Sequence, residues 1–301
     1  MAGGGPIPVI DLEDFPGQSK KLLEACEEWG CFRIINHKIP DKLMLDMKTV
    51  VRSLLDRPIE IKRRNTDVIA GSGYVPPTKG NPLYEALGCY DFGSSGAVEA
   101  FCTQMDASPQ QREIIKEYSH ASYELLMEMA RKLGESIGLG FDLAKGWPCL
   151  LRLNKYNFTE ETVGSTGLQI HTDTGFLTIL QQDDCVGGLE VIDKTSGEIV
   201  AVDSSPGSLL VNLGDIATAW SNGKFFNVKH RVQCKETKTR VSIVLFLLGP
   251  KEPLETPPEF VDSNHPRLYA PIIYEEFREL RLSTGLRAGE ALELMCLKPD
   301  N

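Results

Sequence analysis

The sequence predicts a mainly β protein with flanking helices, its core a sandwich or jelly roll in the second half of the chain. Three observations carry this expectation. From about residue 150, roughly eight short runs of β-forming residues are separated by Gly, Asn, Asp and Lys-Thr turns. No helical periodicity intervenes between them, unlike alternating β and α units. The first half mixes β-rich with helix-periodic runs, giving an α/β part packed around that core, and helix returns at the C-terminus.

In order, Ile7-Pro-Val-Ile-Asp-Leu12 reads as an edge strand, since Pro8 cannot donate to a central ladder. Ser19 is the expected N-cap of a helix running to Trp29, with Leu22, Leu23 and Cys26 on one face. Gly30 stops it before the β-rich Cys31–Asn36. Pro40-Asp41 opens a second helix, closed by Pro58. Between Asn65 and Gly96, glycines and prolines break any long regular element. Tyr74, Leu83, Tyr84, Leu87, Tyr90 and Phe92 in the same stretch point to a pocket wall. Ser108-Pro109 caps a long helix over 109–137, ended by Gly138. The candidate strands are 150–158, 167–171, 176–182, 188–193, 198–202, 208–212, 226–234 and 239–248, with Asn222-Gly223 a hairpin turn signal. Val241 to Leu248 is apolar enough to be a central strand buried on both faces. Helices return near 274–280 and 288–295.

The bulk composition narrows the function. Asp and Glu outnumber Lys and Arg by 42 to 32, a net charge of −10, so neither nucleic acid nor an anionic membrane is an expected partner. The eight cysteines are scattered without a Cys-x-x-Cys pair, which fits buried thiols in a reducing compartment. Met-Ala-Gly-Gly-Gly-Pro lacks the form of a signal peptide. The expectation is a cytoplasmic protein, a monomer or weak homo-oligomer.

Only five histidines occur: His37, His120, His171, His230 and His265. In His171-Thr-Asp173, strand alternation points the imidazole and the carboxylate the same way. Alone, such a pair reads equally well as a surface turn with a locally bonded imidazole. With His230 it becomes two histidines and one carboxylate around open positions, the facial set of non-haem Fe(II) oxygenases. Ten residues beyond His230, Arg240 and Ser242 share one face of an otherwise apolar strand. A buried guanidinium needs a partner. An internal acid would serve; beside a metal, a carboxylate-bearing cosubstrate matches better.

Taken together, these segments resemble a plant 2-oxoglutarate- and Fe(II)-dependent dioxygenase over nearly the whole chain. The N-terminal signature is Ile7-Pro-Val-Ile-Asp-Leu12 with Trp29-Gly-Cys-Phe-Arg-Ile-Ile-Asn-His37. The catalytic half is His171-Thr-Asp173, Asn212-Leu-Gly-Asp215, Trp220-Ser-Asn-Gly223, Lys229-His-Arg-Val232 and Arg240-Val-Ser242. The resemblance implies a double-stranded β-helix (jelly roll) core. It divides the chain into an N-terminal region (1–105), backing helices (106–149), the Fe(II)/2-oxoglutarate jelly roll (150–250) and a C-terminal helical extension (251–301). It implies that His171, Asp173 and His230 bind Fe(II), and that Arg240, Ser242, Tyr156 and Asn154 serve 2-oxoglutarate, with ascorbate supportive. The family often has Asn-Tyr-Tyr-Pro where this chain has Asn154-Lys-Tyr-Asn157, so the second tyrosine survives in an altered turn. His37 is structural on this reading, and His120 a plain helical histidine.

Lys62-Arg-Arg-Asn-Thr-Asp67, Asn81-Pro-Leu-Tyr-Glu-Ala86, Val186-Gly-Gly-Leu-Glu190 and Phe246-Leu-Leu-Gly-Pro250 are similar to the auxin-oxidising subgroup. That implies O2-dependent conversion of indole-3-acetic acid to 2-oxindole-3-acetic acid, with succinate and CO2 as coproducts. An aromatic slot would draw on Tyr74, Tyr84, Phe158, Phe176, Trp220 and Phe246, and Arg33 or Arg278 would meet the substrate anion. The alternatives are a hydroxylase, demethylase or desaturase of another small plant metabolite, or a non-catalytic ligand-binding jelly roll.

Overall fold

A computed structural model describes residues 7–139 and 143–297; the glycine-rich N-terminal hexapeptide lies outside them. The elements are β1 (Val9–Asp11), α1 (Ser19–Glu28), β2 (Cys31–Ile35), α2 (Asp41–Leu55), α3 (Ile59–Lys62), β3 (Tyr84–Tyr90), α4 (Ser95–Gln104), α5 (Pro109–Ser136), β4 (Cys149–Tyr156), β5 (Thr166–His171), β6 (Leu177–Gln181), β7 (Leu189–Ile192), β8 (Ile199–Ala201), β9 (Ser208–Leu213), α6 (Asp215–Trp220), β10 (His230–Gln233), β11 (Arg240–Leu247), α7 (Tyr274–Thr284) and α8 (Glu290–Glu293).

The strands form two sheets, one of seven strands in the order β1-β2-β9-β6-β11-β4-β3 and one of four in the order β5-β10-β7-β8. Together they make the double-stranded β-helix. β11 is central, antiparallel to β4 on one side and β6 on the other. Its two faces explain its uninterrupted apolar run. Val241, Ile243, Leu245 and Leu247 pack in one core cluster with the inner residues of α2 and α5. Val244 joins a second cluster with Leu180, Leu189 and Val232, where the two sheets face each other. Helices α1, α2, α4 and α5 cover the outer face of the large sheet, so the layers run helices, large sheet, cavity, small sheet.

Local chemistry sets the element boundaries. Ser108 and Gln111 form a reciprocal capping box with Pro109 in the first turn of α5. At its other end Gly138 takes φ +81° and Leu139 donates back to the Gly134 carbonyl. β1 lies at the sheet edge, parallel to β2, as Pro8 requires. Gly30 must stay glycine: its φ is +65°, and a Cβ there would come within 2.1 Å of the Phe226 carbonyl oxygen.

Several expectations are corrected. Ser19 is the first residue of α1, and Gln18 stands at the N-cap without a side-chain bond. The expected strand 226–234 is paired only over His230–Gln233, because Phe226 and its neighbours turn back to the Cys26 carbonyl. Asn222-Gly223 ends a helix rather than joining paired strands. Asn222 takes φ 56° and Gly223 donates to the Thr218 carbonyl, closing α6, a helix absent from the expected elements. The stretch 65–96 contains a seven-residue strand, β3, whose glycine lets the chain cross it: a Cβ at Gly88 would lie 1.8 Å from the Ser72 carbonyl oxygen. Six cysteines are buried, but Cys185 and Cys296 are exposed, and all eight are free thiols. No helix of the described residues is long and apolar enough to cross a membrane.

Leu245 is 1% exposed on the helix-facing side of the central strand. Leu245→Ala should cost about 2–5 kcal/mol through lost burial and an unfilled cavity. Urea unfolding should show a lower midpoint with an unchanged slope.

Candidate metal centre and cosubstrate pocket

His171, Asp173 and His230 each present one donor atom, all within 4.8 Å of one another. The pairing of β5 with β10 sets His230 directly opposite His171, and their rings stand 4.2 Å apart. His171 is the last residue of β5, so Asp173 lies just beyond the strand rather than in it. The Asp173 carbonyl accepts from the Asp215 amide at 2.8 Å, which fixes the turn.

The orientation of each group suits a cation. His171 Nδ1 sits 2.8 Å from the Gln169 carbonyl and His230 Nδ1 3.2 Å from the Val228 carbonyl. A proton on each Nδ1 satisfies those carbonyls and leaves both Nε2 lone pairs free. Nε2 of His171 and His230 lie 3.8 and 3.7 Å from Asp173 Oδ1. The other carboxylate oxygen accepts from Thr178 Oγ1 at 2.6 Å, so Oδ1 faces the histidines uncommitted. Burial, then the neighbouring His230, pushes His171 down to about 3. Burial alone would raise Asp173, but His230, His171 and Thr178 hold it below its ordinary value. His171 and Asp173 are therefore deprotonated at neutral pH, as ligation requires.

These residues open into a cavity of about 510 Å³ lined by both sheets, α7 and residues 78–81, a size that suits small-molecule sites. Arg240 and Ser242 on β11 lie opposite Tyr156 and Asn154 on β4. Arg240 is 1% exposed, and its Nε and Nη1 have no hydrogen-bond partner. Its guanidinium stands 5.2 Å from the centre of the Tyr156 ring. Asn154 donates to Ser242 Oγ at 3.3 Å and accepts from Tyr84 Oη at 2.9 Å. A buried cation with unspent donors, flanked by hydroxyls, is built for a carboxylate. The chain's own residues thus fit both Fe(II) and a dicarboxylate.

Of the candidate aromatics, Tyr84 and Phe246 line the cavity. Tyr74 instead donates to Glu85 at 3.1 Å. Phe158 packs on Tyr156 in the second core cluster, and Phe176 and Trp220 stack edge to face in the first. Arg33 is committed to Gln182, Ser208 and the Asp203 carbonyl away from the cavity, whereas Arg278 lines it. His37 accepts from the Ile39 amide, and His120 and His265 are exposed.

The sequence reading passed over Arg281. This residue of α7 donates to Asp215 Oδ2 at 2.6 Å, to Thr172 Oγ1 at 3.1 Å, to the Thr172 carbonyl and to the Arg287 carbonyl at 2.6 Å. Asp215 also accepts from Asn227 at 2.7 Å. One ion pair therefore ties the C-terminal helix to the residue between His171 and Asp173 and to the approach to His230. Tyr274, Phe277 and Arg281 are the buried positions of α7; a cation on that apolar stripe was the available signal.

Two outcomes follow from this geometry. Between pH 6.5 and about 3 the unfolded chain carries a proton on His171 that the fold excludes. The metal-free protein should lose stability as pH falls through that window, by up to about 1.4 kcal/mol per unit from this group; His171→Gln should flatten the slope in urea unfolding at pH 6.5 and 5. Arg281→Ala should weaken Mn(II) binding roughly 10- to 100-fold by calorimetry, with Arg281→Lys recovering part. An unchanged metal affinity would make the ion pair a stability feature alone.

Comparison with known proteins agrees with this arrangement. Residues 147–249 match the 2OG-Fe(II) oxygenase superfamily, and residues 7–92 match the N-terminal region described as non-haem dioxygenase in morphine synthesis. The 2-oxoglutarate-dependent dioxygenase DAO of Oryza sativa subsp. indica is 51% identical over 292 residues, 95% of this chain and 97% of the rice protein. The crystal structure of the dioxygenase for auxin oxidation in rice has a TM-score of 0.89 at 49% identity, covering 97% of this chain and all of that one. The 2-oxoglutarate complex of dioxygenase for auxin oxidation 1 from Arabidopsis thaliana has a TM-score of 0.85 at 55% identity, covering 87% of this chain and all of that one. With both halves matched and such relatives spanning nearly its full length, the chain belongs to the 2-oxoglutarate- and Fe(II)-dependent dioxygenases.

Proposed function

We propose that this dioxygenase oxidises indole-3-acetic acid (auxin) to 2-oxindole-3-acetic acid, with His171, Asp173 and His230 holding Fe(II) and Arg240, Ser242 and Tyr156 holding the far carboxylate of 2-oxoglutarate. The observation that carries the substrate reading is the roughly half-identical, near full-length match to proteins named for auxin oxidation. The cavity supports it with an apolar wall that includes Leu150, Val244 and Phe246 beside a basic one.

When bound, Fe(II) and 2-oxoglutarate supply O2 activation: one oxygen atom enters succinate as CO2 leaves, and the other is available to the organic substrate. The protein's part is positioning. The buried Arg240 guanidinium would neutralise the distal carboxylate, and Ser242 Oγ, already accepting from Asn154, could turn its proton toward it. Leu180, Leu189 and Val232 line the same cavity with apolar side chains and limit water. No side chain is required as a general base.

Purified protein with Fe(II), 2-oxoglutarate and ascorbate should release succinate when given indole-3-acetic acid, with a product one oxygen atom heavier. Succinate release with a different small acid, and none with the indole, would keep the reaction class and overturn the substrate. Full turnover by His230→Ala would overturn the metal assignment.

A further inference from the structure

The cavity carries a charge distribution that the protein as a whole does not. Arg152, Arg240, Arg278, Arg281 and Arg287 line it, and Asp173 is the sole carboxylate lining it among the described residues, in a chain with a net charge of −10. Arg281 is committed to Asp215, and Arg240 is placed for 2-oxoglutarate. Apart from Arg287, which is exposed, Arg152 and Arg278 form no ion pair with a carboxylate among the described residues, yet Arg152 is 7% exposed.

Both are held by backbone rather than by charge. Arg152 donates to the Gly73 carbonyl at 2.7 Å and to the Gly71 carbonyl. Arg278 Nε donates to the neighbouring Ala70 carbonyl at 2.8 Å, and its Nη groups remain uncommitted. The loop that presents these carbonyls is itself fixed: Asp67 accepts from the Gly71 and Gly73 amides at 2.8 and 2.6 Å, and Asn65 bonds Gly88 in both directions. Two guanidinium groups are thus fixed beside one short loop, where their mutual repulsion, partly offset by the Asp67 carboxylate of that loop, raises the value of an anion.

The register of β4 against β11 separates this pair from the cosubstrate end. Tyr156 lies opposite Arg240, whereas Arg152, four residues earlier on β4, lies opposite Val244. At about 3.3 Å per residue that is roughly 13 Å along the strand. Arg152, its guanidinium held at the Gly71 and Gly73 carbonyls, therefore enters the cavity from a point on β4 well away from the residue that faces Arg240. Leu150 opposite Phe246, with Leu248 and Leu282, adds apolar surface to the same end of the cavity.

We propose that Arg278, with Arg152 beside it, is the carboxylate anchor of the organic substrate, and that this anchor selects an arylacetic acid over its neutral analogues. The proposal deepens the auxin reading and rests on it. Arg278 supplies the free Nη donors; Arg152, spent on Gly71 and Gly73, supplies charge and holds the loop. The aromatic ring lies along Phe246 and Leu150.

The test compares indole-3-acetic acid with indole-3-acetamide, nearly the same shape without the charge, in the full-length enzyme and in Arg278→Ala and Arg278→Lys. The unaltered enzyme should favour the acid. Arg278→Ala should lower the acid-to-amide ratio of kcat/KM by about 10- to 100-fold, the worth of one charge-assisted hydrogen-bonded contact. Its KM for 2-oxoglutarate should stay within about twofold, because Arg240 is untouched; Arg278→Lys should recover part of the ratio. An unchanged ratio in both variants, with the acid still oxidised by the unaltered enzyme, overturns the anchor and leaves the auxin reading standing. Failure of the unaltered enzyme to oxidise the acid overturns that reading, and the anchor with it.

Discussion

The ion pair between Arg281 and Asp215 is the interaction on which the rest of the site depends. Asp215 is fully buried and Arg281 nearly so, and burial works against the charged carboxylate, raising Asp215 despite the adjacent guanidinium. Such a pair is favourable only when its remaining donors and acceptors are satisfied. Here Arg281 also reaches the Thr172 hydroxyl and carbonyl and the Arg287 carbonyl, and Asp215 takes the Asn227 amide. The partners are the backbone flanking the two metal ligands and the segment leading to His230. The cost of desolvating one pair of charges is offset only when four separate segments are in place. The C-terminal helix and the backbone around the metal centre are thereby held by the same contacts.

A second constraint is the pairing of β4 with β11, which acts as a ruler across the large sheet. Strand alternation gives each strand one face toward the helices and one toward the cavity. Leu150, Arg152, Asn154 and Tyr156 on one strand and Ser242, Val244 and Phe246 on the other therefore fall on the cavity side, with their neighbours in the core. A slip of one residue would bury Arg240 among the helices with no anion to meet it. The register that packs Ile243 and Leu245 against α2 and α5 is the same register that aims Arg240 into the pocket. Core packing and ligand geometry are enforced by one set of hydrogen bonds.

Much of this was legible in the sequence, and the reason differs from residue to residue. Arg240 and Ser242 stood out because polar side chains two apart on an otherwise apolar strand have few explanations. The histidine and aspartate ligands were readable from spacing, though the chain leaves the strand at His171 and uses the Asp215 amide to fix the turn. Arg152 was missed although it obeys the same alternation between Leu151 and Leu153; its meaning lies in the Gly71 and Gly73 carbonyls, some eighty residues earlier. Tyr74, Phe158, Phe176 and Trp220 could not be sorted from Tyr84 and Phe246 by composition, since an aromatic ring suits a core as well as a pocket. Which side of a sheet a loop folds over is a long-range fact, absent from local pattern.

The charges around the cavity can be counted in the loaded state as well as the empty one. Fe(II) brings two positive charges and 2-oxoglutarate two negative ones. Asp173 offsets Arg240, and Asp215 offsets Arg281. Arg152, Arg278 and the exposed Arg287 remain without a carboxylate partner among the described residues whether or not metal and cosubstrate are present. The attraction they exert on an anion is therefore not borrowed from the metal. Nor would it be cancelled by 2-oxoglutarate held, as proposed, at Arg240, whose place on β11 lies four residues from the one opposite Arg152. A small acid entering last meets a field set by the protein, focused by apolar walls of low dielectric. A neutral molecule of the same shape gains the apolar contact alone. Discrimination by charge is then a property of the folded chain, and the reacting centre need only be served with a ring already held in place.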